Sequence, residues 1–108
     1  MNNVSNYIYD SLNDDMACHA LLVQCVKDES RRDGQQLSWK DILEELLSHD
    51  VEIGTAELKT TEYIEFIAWR GSISERISRA VECVNKAVSS DKEFAYWLCL
   101  RKNVDHYE

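Results

Sequence analysis

The stretch Tyr63–Ile77 reads YIEFIAWRGSISERI and joins two halves that follow different patterns. Its first half, residues 63–69, carries one charge, at Glu65, so a helix there would be apolar on nearly every side and would lie at the centre of the fold. The same residues are mostly β-branched or aromatic, which also favours a short buried strand. Because no second stretch of equal strand character is evident, and a lone strand leaves its backbone groups unpaired, we predict a central helix.

Local structure explains the step from Arg70 to Ser72 inside this stretch. Ser72 and Glu75 have the S-x-x-E spacing of a capping box, in which each side chain bonds the backbone N–H of the other. Gly71 suits a left-handed residue that ends the preceding helix. The alternative is an anion site formed by Arg70 and the free N–H groups at the start of the following helix. The carboxylate of Glu75 would compete with an anion for that helix N-terminus. The step is therefore predicted to be a hinge.

The rest of the chain also favours helices, because it has no proline and only three glycines in 108 residues. Apolar residues recur at helical spacing along a helix predicted over about 14–32, in Trp39–Leu47 and in Ile73–Val88. Ser90 and Glu93 repeat the capping-box spacing and predict one further helix near the carboxyl end.

These patterns lead to one predicted fold with one alternative. We predict a single all-α domain over residues 1–108, built as a compact bundle of four to six helices. Residues 50–55, which include Gly54, are predicted to form a turn. The alternative is an α+β fold with a short strand near residues 61–69.

Charge and composition make several classes of protein unexpected. The formal net charge is −8, and residues 34–71 hold eight acidic and three basic side chains. An acidic surface repels phosphate backbones, so we expect no nucleic-acid partner. The longest uncharged stretch, Met16–Val26, is too short to span a bilayer, and the amino end lacks the features of a secretory signal, so we expect no membrane binding and a cytoplasmic location. The four cysteines are then expected to be buried free thiols.

Motifs for catalysis are few. The sequence has no glycine-rich phosphate loop, no G-x-S-x-G and no H-E-x-x-H, so an enzyme is the less favoured interpretation and no cofactor is predicted. The alternative is a metal-dependent helical-bundle enzyme that uses two pairs at i, i+4 spacing, Asp15 with His19 and Glu45 with His49. Helical di-metal sites use a Glu-x-x-His motif in duplicate, which this sequence does not contain.

The favoured interpretation is a small acidic module that binds a basic protein, as an inhibitor, an immunity-like protein or a regulatory subunit. The apolar stripe of Trp39–Leu47 would turn Asp41, Glu44 and Glu45 toward water, where they could meet that partner.

A basic ridge on the predicted helix after Gly71 suggests a second kind of contact. Arg76, Arg79 and Lys86 fall within about 80° of one another around that helix. Such a ridge could bind the acidic middle of a second copy, which would give a homodimer.

Overall fold

The computed structural model describes residues 2–33, 37–61, 64–88 and 92–106. Within these ranges the chain forms four α-helices and a four-stranded antiparallel sheet with the strand order β1-β4-β2-β3. The helices and strands, in chain order, are α1 (Asn3–Ser11), β1 (Ala17–Cys18), α2 (His19–Asp33), α3 (Trp39–Leu47), β2 (Val51–Leu58), β3 (Ile64–Ala68), α4 (Ile73–Lys86) and β4 (Trp97–Leu100). Short 3₁₀ helices span Lys92–Phe94 and Arg101–His106.

The fold is mixed α+β, so the prediction of an all-α helical bundle is wrong. The alternative with a strand near residues 61–69 describes the chain better, because β3 lies within that range. Its partner is β2, where a turn was predicted around Gly54. Val51 and Ile53 are fully buried and Glu52 between them is half-buried, which is the alternation of a strand.

The carboxyl end also differs from its prediction, since the last helix is replaced by a 3₁₀ turn and by β4. The run WLCL of β4 is too short for periodicity to separate a strand from a helix, and its pairing with β2 decides the outcome. Ser90 of the predicted cap lies outside the described residues.

Gly54 lies inside β2 because the neighbouring strand passes unusually close. A Cβ atom at this position would stand 2.1 Å from the backbone carbonyl oxygen of Ile67, which is well inside van der Waals contact. A glycine within a strand often marks such a close backbone approach. Gly54, which suggested a turn, is therefore required for the close pairing of β2 with β3.

The helices pack on one face of the sheet, which we call the helix face. Val51, Ile53, Leu98 and Leu100 project from this face and are at most 2% exposed. They meet buried residues of all four helices, among them the α3 stripe. By strand alternation the opposite outer face carries Glu52, Gly54, Phe66, Ala68, Trp97 and Cys99.

The predicted hinge is confirmed between β3 and α4. Gly71 has a φ of +119°, a conformation that other residues rarely adopt. The N–H of Glu75 donates to Ser72 Oγ at 3.1 Å, and the N–H of Ser72 donates to Glu75 Oε1 at 3.4 Å, which completes the capping box. The segment that Gly71 ends is a strand, however, and not the predicted helix.

The amino-terminal helices also depart from the prediction. α2 begins at His19 and not near residue 14, because Ala17 and Cys18 pair with β4. All four cysteines are free thiols, but only Cys99 is buried and the other three are half-buried. Among the described residues, no helix combines the length and the apolar character that a membrane crossing requires.

Candidate functional site

β3 forms an open edge of the sheet. Within the described chain only β2 makes extensive contact with it. The N–H of Trp69 donates to the carbonyl of Ile53 at 2.8 Å, which shows that odd-numbered residues of this segment bond to β2. By alternation, the N–H and C=O groups of Ile64, Phe66 and Ala68 point away from the sheet. We call these six groups the β3 edge.

A groove of about 800 Å³ borders β3. Six consecutive residues, 65–70, line it, and Glu52, Arg101 and Val104 complete the lining. Glu52 belongs to β2, and Arg101 and Val104 follow β4, so the groove extends from β3 across the outer face of the sheet toward β2. The groove therefore adjoins β3 on the outer face, whereas the β3 edge is open because the strand order gives it no partner strand among the described residues.

The hairpin of β2 and β3 exposes apolar side chains next to the groove. Leu58 is 68% exposed, Ile64 39% and Ile67 44%, and together they are three of the six large apolar side chains exposed in the described residues. Within β2, only residues 51–54 pair with β4, so the outer half of the hairpin extends beyond β4. The exposure follows from this extension.

Two carboxylates face each other across the same hairpin. Glu57 and Glu65 are direct partners in the register of β2 and β3. Lys59 Nζ lies 2.9 Å from a Glu57 oxygen and 3.7 Å from a Glu65 oxygen. Its hydrogen bond to Glu57, and then the charges of both glutamates, raise the pKa of Lys59. Two negative charges thus share one cation at this point.

Ion pairs anchor the far end of the groove. Glu52 accepts from Arg101 at 3.0 Å and from Arg76 at 3.5 Å, and Arg101 also reaches Asp50 at 3.1 Å. The side chains of Arg76 and Glu52 are 12% and 18% exposed, so their pair is shielded from solvent, while Arg101 and Asp50 are exposed. The groove wall is therefore held by contacts among α4, β2 and the last 3₁₀ helix.

The three residues of the predicted dimer ridge, Arg76, Arg79 and Lys86, make contacts within the same chain. Arg76 pairs with Glu52, and the Arg79 guanidinium stacks over Trp69 at 4.3 Å from the ring centroid. Lys86 is exposed and pairs with Glu82 one turn earlier. Binding of a second copy at these residues stays a prediction.

The predicted acidic face of α3 is present in part. Asp41 and Glu44 are exposed, and the apolar stripe beneath them is buried as expected. Glu45 is half-buried, and its Oε1 accepts the backbone N–H of Asn2 at 2.7 Å. Glu45 thus ties α3 to the start of α1, and partner binding at this face stays a prediction.

The alternative metal ligands are not brought together. Asp15 precedes α2, and its carboxylate accepts the N–H of Met16, so it does not share a helix with His19. α3 ends before His49, which is exposed in the following turn, while Glu45 lies within the helix. Among the described residues, no group of three His, Cys, Asp or Glu side chains is placed to hold a metal ion.

His19 instead takes part in a core contact that sequence reasoning missed. Its Nδ1 lies 2.7 Å from the Tyr96 hydroxyl, and its ring meets the Trp39 ring edge-on at 4.7 Å. Burial lowers the pKa of His19 and raises that of Tyr96. The two residues are 77 positions apart, and no spacing rule connects them.

The fold and the site together define a small α+β domain with an accessible edge strand. Comparison with protein-family models, with curated proteins and with solved structures finds no match for this chain.

Proposed function

We propose that this protein is a small interaction module that binds another protein by adding a strand of that partner to β3. The supporting observation is the strand order, which leaves β3 paired on one side only, in a hairpin that exposes Leu58, Ile64 and Ile67. Edge strands of soluble proteins are usually protected by prolines, bulges, charges or covering segments. Residues 64–68 contain no proline and one charge, Glu65, and an open edge of this kind is a surface to which a partner strand can add.

The role that fits this surface is that of an inhibitor, an immunity-like protein or a regulatory subunit, which acts by occupying its partner. A basic partner is proposed because the chain has a net charge of −8, and opposite charge raises association rates and specificity. A cytoplasmic location is part of the proposal, since free thiols are typical of reducing compartments.

The test is affinity capture from an extract of the source cells with wild-type protein and with Ile64→Pro as baits. Ile64 is the first residue of β3, and its N–H points away from β2, so proline removes an edge donor while the β2 bonds remain. We expect the wild-type protein to recover a partner that Ile64→Pro does not recover. Ile64→Val, which retains the N–H and the strand preference, should recover the same partner.

A Glu44→Lys bait separates the β3 edge from the acidic face of α3. Glu44 is exposed on α3, so its reversal should leave capture by the β3 edge unchanged. Loss of the partner with Glu44→Lys, together with its retention by Ile64→Pro, would assign binding to α3 and contradict the proposal.

A further inference from the structure

The carboxylates of Glu57 and Glu65 give the β3 edge a chemical preference, provided that the edge binds a strand as proposed above. Both project on the helix face, at neighbouring positions of β2 and β3. Lys59 is the single cation that the described residues place against them. A strand docked on β3 would set one of its own side chains directly beside Glu65.

The neighbouring positions of the docked strand would meet apolar surface. Ile64 and Ala68 project on the outer face of β3, where Ile64 is 39% exposed, while Phe66 between them is fully buried. Ile67 follows Glu65 on the helix face and is 44% exposed. Cross-strand neighbours interact most favourably when apolar side chains meet apolar ones and when charges are opposite.

A second copy of this chain is a poor occupant of the same edge. Symmetric antiparallel pairing of β3 with its copy can place Glu65, Ile67 or Trp69 of that copy opposite Glu65, depending on the register. None of these residues supplies a cation. Each copy also carries a net charge of −8, so association adds repulsion.

We infer that the β3 edge selects an extended segment of a basic protein, in which a lysine or arginine faces Glu65 and Glu57 and apolar side chains flank it. The lysine or arginine completes the charge balance of the carboxylate pair. The apolar neighbours cover Ile67 on the helix face and Ile64 on the outer face.

The test is selection of a random library of short displayed peptides on the immobilised wild-type protein, followed by affinity measurement on two charge-reversed variants. Glu65→Lys reverses the charge at the edge, and Glu44→Lys makes the same change of net charge on α3. Glu65→Lys should fold, because it converts the like-charged Glu57 pairing into an opposite-charged one. Glu65→Gln serves as the second edge variant if lysine disturbs the fold.

We expect the selected peptides to combine strand-forming apolar residues with lysine or arginine. Glu65→Lys should weaken their binding by about 3- to 30-fold, while Glu44→Lys should leave it nearly unchanged. Equal effects of the two reversals, or selected peptides without basic residues, would overturn the charge preference and leave strand addition standing. Failure to select any peptide, or equal binding to Ile64→Pro, would overturn the proposed function and this inference with it.

Discussion

Gly54 is the residue on which the pairing of β2 and β3 depends most directly. A Cβ atom there would overlap the backbone of Ile67, and a backbone carbonyl cannot move aside as a flexible side chain can. We expect Gly54→Ala to lower the free energy of unfolding by about 1–3 kcal/mol through overpacking. Denaturant titration measures this. Ala56→Ser, on the same face of β2, is the control. If both substitutions changed the free energy of unfolding by the same small amount, β2 and β3 would not be so closely spaced at Gly54.

The buried imidazole of His19 makes the stability of the protein depend on pH. Burial lowers its pKa below the ordinary value of 6.5 that it has in the unfolded chain. As pH falls through 6.5, the unfolded state therefore takes up a proton first, and stability is lost until the pH reaches the pKa of the folded state. Above 6.5 this contribution to stability is fully present.

The corresponding measurement is the free energy of unfolding at about pH 7.5 and about pH 5.5, where most carboxylates stay ionised in both cases. We expect the wild-type protein and His49→Gln to lose stability over this range, since His49 is exposed. His19→Gln should be less stable at both pH values but should lose less between them. An equal loss in all three proteins would refute a buried neutral His19.

At the scale of elements, helices were easier to predict than strands. The starts of α3 and α4 follow from the local caps Ser38 and Ser72, whose signals lie within one helical turn. The strands depend on partners far along the chain, since residue 53 pairs with residue 98. Nothing in the segment after residue 50 shows that an apolar strand 43 to 49 residues further along the chain will pair with it.

The hinge between β3 and α4 carries a prediction at this scale. Gly71 has a positive φ, and an added Cβ would lie 3.3 Å from a carboxylate oxygen of Glu75, which belongs to the capping box. We expect Gly71→Val to lower the free energy of unfolding by more than about 1 kcal/mol, because a β-branched residue is strained in this conformation.

Arg70→Ala is the matched control for Gly71→Val, because Arg70 is an exposed neighbour without a positive φ. Thermal or denaturant unfolding of both variants gives the comparison. Wild-type stability of Gly71→Val would mean that the chain does not turn at this residue.

At the scale of the whole molecule, the candidate site could not have been predicted from sequence. The net charge of −8 suggests a basic partner, but it does not show which surface is available. The β3 edge is open because β2 lies between β3 and β4, and this strand order has no local signature in residues 64–68. The apolar run that indicated a central helix is in fact an edge strand with two exposed isoleucines, Ile64 and Ile67.

Amide hydrogen exchange along β3, followed by NMR with and without a peptide selected on the wild-type protein, tests the open edge most directly. In the free protein, the amides of Phe66 and Ala68 should exchange quickly, while those of Glu65 and Ile67, which bond to β2, should exchange slowly. Bound peptide should protect Phe66 and Ala68. Protection of these two amides in the free protein, or their continued fast exchange when the peptide is bound, would contradict strand addition at β3.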